Sequence, residues 1–409
     1  MPDATLLLDV ARHEARVGER TLRAKWFVFW CALATAGPEG LTTDDIRAYR
    51  PWNHERWASI GKEMSRHLRA TRTAALLKPG QHTRRWVLNA PAAWIPGEWA
   101  GREWLAAQRA ASDAGGQLNE LVRATVGLLC GDEGLLAGRL AEAAEHRDRG
   151  SSDEWTAAAW TLLDARALAR AEDHEALLTL LERQPKPRSA ASRALAARLD
   201  AIDALVRRSD DPVAARERVS RAVCRLEGTG DHAGLATCLN VRGVLDLRLG
   251  DPAAAETAFA QAATIALLVG DHYLVQGALT NLSLVQARLG KEVDADRSLE
   301  TALWLSDKLG VGRDSAQTEV WAALRALRRD DGEAAHRWIA RALGIVAHLQ
   351  SDWEHGHFLA ARAAVCQRWP EGATNPDRDL AAAERLFGLA GDEVNRERVA
   401  RARRTGRRG

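Results

Sequence analysis

The spacing of apolar residues near the N-terminus predicts short strands followed by three helices. Apolar stretches at residues 6–8, 15–17 and 21–22 predict the strands. A first helix follows, because several apolar residues share one helical face before Gly37-Pro38 ends it: Trp26, Phe29, Trp30, Leu33 and Ala34. Residues 41–49 carry a threonine cap followed by acidic residues, which predicts a short second helix.

The third predicted helix, residues 55–71, has an apolar stripe and an opposite basic stripe. Trp57, Ile60, Met64 and Leu68 form the apolar stripe, which we expect to be buried. A basic turn from Lys78 to Arg85 follows, and residues 86–88 predict a returning strand. Helix, turn, helix and basic hairpin is the order of a winged helix. The donors of the basic stripe and hairpin suit phosphates and guanine edges, so we predict DNA contacts from Ser59, Lys62, Arg66, Arg69, Arg72, Lys78, His82, Arg84 and Arg85.

The rest of the chain repeats with a period of 40 residues, which indicates stacked helical hairpins. Gly230-Asp231-His232 recurs at 270–272, and Leu249-Gly250 recurs at 289–290. We expect His232 and His272 to lie at helix starts, after an aspartate cap. In each unit a small residue is followed, at intervals of 12, 4 and 3, by Ala, a larger apolar residue and Ala. Small residues let two antiparallel helices pack closely. Three units fit throughout: Gly243, Ala255, Phe259, Ala262; Ser283, Ala295, Leu299, Ala302; and Ala323, Ala335, Ile339, Ala342.

The pattern weakens toward both ends of the body. An earlier unit has Ala215, Val219 and Ala222, with Asp203 at the small position. Further units are predicted from Ala176 with Leu180, from Ala137 with Ala144 and, downstream, from Ala382, Leu386 and Leu389. The pattern resembles the tetratricopeptide repeat (TPR) in a long-period form. The resemblance implies a right-handed α-solenoid over residues 115–395, whose concave face holds a peptide, protein or small ligand.

The N-terminal arrangement resembles the OmpR-type winged helix found in the Streptomyces antibiotic regulatory protein family. Residues 17–22 match the strand turn, 41–49 the second helix, 57–71 the recognition helix and 76–88 the wing. The resemblance implies a recognition helix in the major groove and a TPR-like activation domain behind the DNA-binding module. It also implies that the loop of residues 50–56 contacts RNA polymerase through Arg50, Asn53, His54 and Arg56.

Charge is unevenly distributed along the chain. The formal net charge of +2 divides into +5 over residues 1–100, +6 over the tail 396–409 and −9 between them. A polyanion should therefore meet the two ends and be repelled by the body. We expect the basic tail to be a disordered, solubilising end.

The same sequence argues against catalysis, metal binding, export and membrane insertion. It contains no Walker loop, no GxGxxG after a strand, no GxSxG and no paired HxxxH, so we expect no enzymatic activity and no cofactor. The segment Trp353 to His357 predicts a helix start rather than a metal site. Five dispersed cysteines without a CxxC pair fit reduced thiols, and no signal peptide or apolar span is present. The expected location is the cytoplasm.

These observations predict a mainly α protein: an N-terminal winged helix-turn-helix (α+β, with a small sheet) at 1–90, a Trp- and Pro-containing linker at 91–114, the solenoid and the tail. The leading hypothesis is a bacterial transcription regulator, an activator, that binds double-stranded DNA. Its repeats either form a homodimer or hold a peptide, protein or small ligand in their concave face. One alternative is a peptide-sensing receptor, in which ligand binding to the repeats changes DNA affinity. Another is a protein–protein scaffold whose winged helix does not bind DNA.

Overall fold

The structure is a computed structural model of the 409-residue chain. Within the first hundred residues it describes 6–9, 14–17, 20–22, 30, 33–34, 41–42, 68–69, 77–79, 85–88 and 92–95. Beyond these it describes 154–406, apart from 184–189, 209, 228, 230, 270, 310–312, 347–350 and 371–373.

The described N-terminal strands form two sheets. The first has the order β3-β2-β1-β7, with β1 antiparallel to β2 and parallel to β7. The second has the order β4-β6-β5 and is antiparallel. The three strands expected before the first helix are confirmed. The strands are β1 (Leu6–Asp9), β2 (Glu14–Val17), β3 (Arg20–Leu22), β4 (Leu41–Thr42), β5 (Leu77–Pro79), β6 (Arg85–Leu88) and β7 (Ala92–Ile95).

Strand pairing corrects three details of the sequence analysis. Leu41–Thr42, expected to open the second helix, form β4 opposite Trp86 and Arg85. Lys78 and Arg85, expected in the basic turn, lie in β5 and β6 themselves. Ala92–Ile95, expected to begin the linker, form β7 beside β1. β4 with β6 and β7 with β1 pair across long sequence separations, whereas β5 and β6 form a hairpin with a shorter turn than expected. In each case strand pairing satisfies backbone groups that the sequence pattern leaves open.

The described apolar side chains of β1 and of the first and third predicted helices are buried. Leu6 and Leu8 of β1 are fully buried, as are Trp30 and Leu33 of the first predicted helix. Leu68, on the apolar stripe of the third predicted helix, is also buried, and its neighbour Arg69 is exposed.

The helices of the described residues come in antiparallel pairs, followed by one closing helix. Aspartate caps begin several of them, as the repeats predict: the side chains of Asp231 and Asp271 each accept a hydrogen bond of 3.0 Å from the backbone N–H three residues on. His232 and His272 therefore begin helices, as expected. The helices are α1 (Glu154–Arg170), α2 (His174–Glu182), α3 (Ala190–Val206), α4 (Pro212–Leu226), α5 (His232–Arg248), α6 (Pro252–Val269), α7 (His272–Arg288), α8 (Glu292–Leu309), α9 (Arg313–Arg328), α10 (Gly332–Val346), α11 (Asp352–Arg368), α12 (Pro376–Leu389) and α13 (Glu393–Gly406).

The small–Ala–large–Ala pattern marks the contact within each hairpin. Every member of the three complete units is buried. At Gly243 an added β-carbon would lie 2.7 Å from the ring of Phe259, so this position must stay small for α5 and α6 to pack. The predicted stack of helical hairpins is confirmed.

Two expectations about the C-terminal end are wrong. In α12 the buried apolar residues are Leu380, Ala383 and Phe387, whereas Leu389 of the predicted set is 69% exposed. Residues 401–406, part of the tail expected to be disordered, lie in α13. Val399 of α13 is buried in the cluster that contains Phe387, and this apolar contact orders the arginine-rich segment.

The first helices of neighbouring hairpins pack side by side. In sequence, α3, α5, α7, α9 and α11 each contact the next, so they form an inner layer, and the second helix of each hairpin lies outside it. In the part of the chain that is described, no helix has the length and apolar character needed to cross a bilayer.

Candidate functional site

The inner layer leaves one stripe of side chains uncovered on each of three consecutive helices. Two sides of α5, α7 and α9 meet neighbouring inner helices, and a third side meets two outer helices, one from the same hairpin and one from the hairpin before. The partly or fully exposed positions recur along the remaining side with helical spacing. We call this surface the inner face: Thr237, Asn240, Val244 and Arg248 on α5; Gly277, Asn281, Leu284 and Arg288 on α7; and Gln317, Trp321, Leu324 and Arg328 on α9.

Equivalent positions of the inner face form rows across the helices with the 40-residue period of the repeats. The apolar row consists of the half-buried Val244, Leu284 and Leu324. One helical turn further on, each of the three helices ends in an exposed arginine, and we call this set the arginine row: Arg248, Arg288 and Arg328. A ligand lying across the helices would meet the same chemistry once per repeat.

The face is open at its centre. An added β-carbon at Gly277 would meet no atom within 4 Å, although α7 is otherwise tightly packed. Beside this opening, the Asn281 side-chain amide donates a 3.2 Å hydrogen bond to the Asn240 carboxamide oxygen. Carboxamides carry both donors and acceptors, so this pair can bond the backbone of an extended peptide.

Beneath the face, a buried polar layer joins α7 to α9. The Gln276 side-chain amide donates to the Thr318 hydroxyl at 3.2 Å, and the hydroxyls of Thr280 and Thr318 lie 2.8 Å apart. All three side chains are buried. Hydrogen bonds of this kind are directional, so the layer holds the two helices in one relative position and keeps the inner face in register.

Glu319 is a buried acid next to this layer. Its side chain is 2% exposed and forms an ion pair of 2.8 Å with Arg341. Arg341 also pairs with Asp307 at 2.9 Å. Burial raises the pKa of Glu319 to about 7, despite the opposing effect of Arg341. The neutral form of this carboxyl is therefore favoured at a higher pH than for an exposed glutamate.

The solenoid closes between its first and sixth described hairpins. Glu172, in the turn between α1 and α2, accepts a hydrogen bond of 2.5 Å from the Ser351 hydroxyl and one of 3.2 Å from the Trp353 backbone N–H. Ser351 caps α11 by accepting from the Glu354 N–H at 3.1 Å. One carboxylate from the first hairpin thus completes the start of a helix 181 residues away. We call this contact the latch.

Glu172 adopts a backbone conformation that is unfavourable for its residue type. Its φ is 60°, in the left-handed region, where Gly250 and Gly290 lie in later hairpins. Asp330 shares this conformation, with φ of 64°, and its carboxylate pairs with Arg368 of α11 at 2.8 Å. A non-glycine residue costs about 1 kcal/mol in this region. At both sites a carboxylate contacting α11 occupies a place where glycine would be easier.

A ring cluster ties α11 to the last two helices. The His357 ring packs edge-on against Trp353 and Phe387, at 4.1 and 4.8 Å between centroids. Trp353 donates from its indole nitrogen to Asp392 at 2.8 Å, and Asn395 also bonds Asp392. Burial, with a contribution from nearby Arg398, lowers the pKa of His357 to about 4, so the ring is neutral at physiological pH.

Helices α12 and α13 enclose a basic groove of about 760 Å³. Arg403 donates to Glu384 at 3.0 Å across it, while Arg385, Arg396, Arg401 and Arg404 are exposed along its walls. The arginines expected in a flexible tail are therefore presented on an ordered helix.

Most residues predicted to touch DNA or polymerase lie outside the described residues: Ser59, Lys62, Arg66, Arg72, His82, Arg84, Arg50, Asn53, His54 and Arg56. Three predicted contacts are described. Arg69 is an exposed helical residue, Lys78 lies opposite Val87, and Arg85 lies opposite Thr42 in the β4-β6-β5 sheet. The structure thus brings Lys78 and Arg85 onto adjacent strands.

The rows of the inner face are functional candidates that the sequence analysis missed. Arg248, Arg288 and Arg328 recur at intervals of 40 residues, so the repeat alignment contained the signal. Only the packing of the inner layer distinguishes this stripe from one facing an outer helix. Among the described residues, no group of three or more His, Cys, Asp or Glu is arranged to hold a metal ion.

No known protein family matches the sequence of this chain, and no curated protein matches it either. Solved structures that resemble it include RapI in its apo form, with 15% identity and a TM-score of 0.40, covering 74% of this chain and 79% of that one. A Rap protein complexed with Competence and Sporulation Factor has 12% identity and a TM-score of 0.45, and the match covers 74% of this chain and 79% of that one. The apo form of the quorum sensor NprR from B. thuringiensis has 14% identity and a TM-score of 0.45, and the match covers 74% of this chain and 87% of that one. Because these identities and TM-scores are low, the fold assignment rests on the helix packing described above.

Proposed function

We propose that this chain is a regulator without enzymatic activity, in which the inner face binds an extended peptide and the N-terminal winged helix binds double-stranded DNA. The observation that carries the proposal is the inner face itself: an open stripe on α5, α7 and α9, in which an apolar position and, one turn further on, an arginine recur in the same order. Peptide binding would change DNA affinity through the intervening hairpins.

The repetition of the face favours an extended peptide over a compact small molecule. A compact ligand needs a concave pocket with a few convergent groups. An extended chain instead offers the same backbone groups at regular intervals, which suits rows that recur on successive helices. Since packed helices lie roughly 8–10 Å apart, three of them span about seven extended residues.

A groove-blocking substitution tests peptide binding. Because the space above Gly277 is empty, Gly277→Phe should fold normally while filling the centre of the inner face. Gly344→Phe on the outer helix α10 is the matched control, since its added β-carbon also meets nothing within 4 Å. We expect Gly277→Phe to weaken binding of a labelled random pool of peptides about seven residues long by about tenfold or more, and Gly344→Phe to leave it unchanged. Equal binding by both variants, measured by fluorescence anisotropy, would contradict the proposal.

The β4-β6-β5 sheet supports the DNA-binding part, because a hairpin paired with a short strand is the arrangement of a wing. Alanine substitution of Lys62, Arg66 or Arg69 should weaken binding to a selected duplex by roughly 1–3 kcal/mol wherever the side chain reads a base. Binding should also fall with salt, by roughly 0.9 log units per phosphate contact for each log unit of salt. The loop of Arg50 to Arg56 is proposed to contact polymerase.

Selection of bound fragments from random duplex DNA, with and without the peptide pool, measures both parts together. A shift in duplex affinity on adding peptides supports the receptor function. A protein that retains no duplex even at low salt, and whose partner binding survives Arg66→Glu, is instead the scaffold.

A further inference from the structure

The arginine row is the most regular feature of the inner face. Arg248, Arg288 and Arg328 occupy the last turn of α5, α7 and α9 at one equivalent position, and all three are exposed. Each lies one turn beyond a member of the apolar row, on the same side of its helix. The row therefore lies along one edge of the inner face.

Helix stability explains only part of this arrangement. A cation in the last turn interacts favourably with the helix dipole, which accounts for a basic residue somewhere in that turn. The dipole effect does not explain why Arg248, Arg288 and Arg328 all lie on the uncovered inner face. Nor does it explain why Arg288 and Arg328 have no carboxylate partner among the described residues.

Arginines that serve the fold behave differently. Arg325, one turn before Arg328 in α9, is buried and pairs with Asp296 and Glu292. Arg368, at the position of α11 equivalent to the row, pairs with Asp330 at 2.8 Å and lies over the Trp369 ring. Local carboxylates and rings thus engage these arginines, whereas the described residues leave Arg288 and Arg328 available to a ligand.

The spacing of the row fits a particular ligand geometry. Neighbouring packed helices place equivalent residues roughly 8–10 Å apart. A polyproline II peptide has three residues per turn and rises about 3.1 Å per residue, so every third side chain points the same way about 9 Å from the last. Carboxylates at every third position would therefore meet successive guanidinium groups, with which they form strong, often bidentate hydrogen bonds.

We propose that the arginine row makes the inner face selective for extended peptides with acidic side chains at every third position. The inference rests on the peptide-binding function proposed above and specifies its ligand class. The Val244, Leu284 and Leu324 row would receive apolar side chains between the acidic ones. The carboxamides of Asn240 and Asn281 would bond the peptide backbone.

Two labelled peptides of the same composition test the spacing. One is Glu-Pro-Ala-Glu-Pro-Ala-Glu, and the other has its three glutamates in succession. We expect the full-length protein to bind the spaced peptide about tenfold more tightly by fluorescence anisotropy at low salt, a difference of about 1.4 kcal/mol. Equal affinities would overturn the proposal.

Arginine substitutions test the row itself. Arg288→Ala and Arg328→Ala should each weaken binding of the spaced peptide by about tenfold. The matched controls are Arg297→Ala and Arg337→Ala on the outer helices α8 and α10, whose side chains are 75% and 57% exposed. These controls should bind like the wild type.

The outcomes separate this inference from the broader function. If Gly277→Phe abolishes binding of the random pool while Arg288→Ala and Arg328→Ala leave all peptide binding unchanged, the receptor stands and the arginine row is refuted. If no peptide binds the wild type, both proposals fail.

Discussion

Gly243 and Phe259 show how one side-chain contact sets the repeat. The phenylalanine ring fills the space where a β-carbon at position 243 would lie, so a larger residue there would push α5 away from α6. Ser283 and Ala323 are the small residues at the same place in the next hairpins. The sequence predicts this contact because both partners recur with the period of the repeat.

Asp203 occupies the same position in an earlier hairpin, where a buried, ion-paired carboxylate replaces the small residue. It is 4% exposed, and its carboxylate pairs with Arg207 at 2.8 Å and with Arg218 at 2.5 Å. A buried charge is tolerated when it is paired and hydrogen-bonded. The pattern of small residues could identify the position, but it could not identify the arginines that compensate the charge.

Glu319 gives a residue-scale prediction with a defined sign. Its pKa in the folded chain is raised from 4.5 to about 7, so unfolding releases a proton between these values and stability falls as pH rises through that window. Glu319→Gln removes this dependence while keeping an acceptor for Arg341. We expect the variant to gain about 2–4 kcal/mol relative to the wild type between pH 4.5 and pH 8, measured by urea unfolding.

The control for this prediction is Glu333→Gln on α10, where the side chain is 92% exposed. Its stability should follow the wild-type pH profile. His357 contributes the opposite slope, because its lowered pKa makes stability rise with pH between about 4 and 6.5. Both variants retain His357, so its contribution cancels in the comparison. Parallel profiles for Glu319→Gln and the wild type would show that the pKa of Glu319 is not raised in the folded chain.

At the element scale, helix starts were predictable and helix faces were less so. Asp211, Asp231 and Asp271 cap α4, α5 and α7 because their side chains satisfy backbone N–H groups within three residues, and such contacts are local. The buried face of α12 was predicted wrongly. Phe387 faces inward because it packs 3.1 Å from the place a β-carbon would take at Gly356 of α11. Phe387 lies 48 residues after Ile339, so the 40-residue period does not extend to this helix and could not fix which of its residues face inward.

Helix α13 shows the same limit. Its sequence is dominated by arginine and has little apolar content, which argued for a disordered tail. A single apolar contact, Val399 against the cluster of Leu380, Ala383 and Phe387, docks it onto α12. Asn395 and Asp392 add hydrogen bonds to the Trp353 and His357 cluster. Composition describes the exposed surface of this helix and misses its one buried side.

At the scale of the whole molecule, the latch joins the two ends of the described solenoid. The Glu172 carboxylate accepts the two hydrogen bonds of the latch, from Ser351 and Trp353. His355 and Leu389 line a cavity of about 430 Å³ beside it. Opening this contact would let the hairpins spread, because stacked repeats otherwise contact only their neighbours. We therefore expect the latch to limit how far the inner face can widen.

Glu172→Ala tests the latch. We expect faster amide hydrogen exchange over residues 351–355, by about tenfold, because the Trp353 N–H and the Ser351 hydroxyl lose their acceptor. Small-angle scattering should also report a larger radius of gyration. Glu175→Ala, an exposed acid in the first turn of the neighbouring helix α2, is the control. Unchanged exchange and an unchanged radius would show that the ends are held together by other contacts.

The sequence by itself determined the repeat, the helix caps, the small contact positions and the basic character of both ends, since each depends on local spacing or composition. Tertiary structure alone decided the pairing of β7 with β1, the inward face of α12, the docking of α13 and the contact of Glu172 with α11. It also decided which stripe of α5, α7 and α9 is open. These features depend on contacts between residues far apart in the chain, and a periodic pattern shows that a face is buried or exposed without showing what lies opposite it.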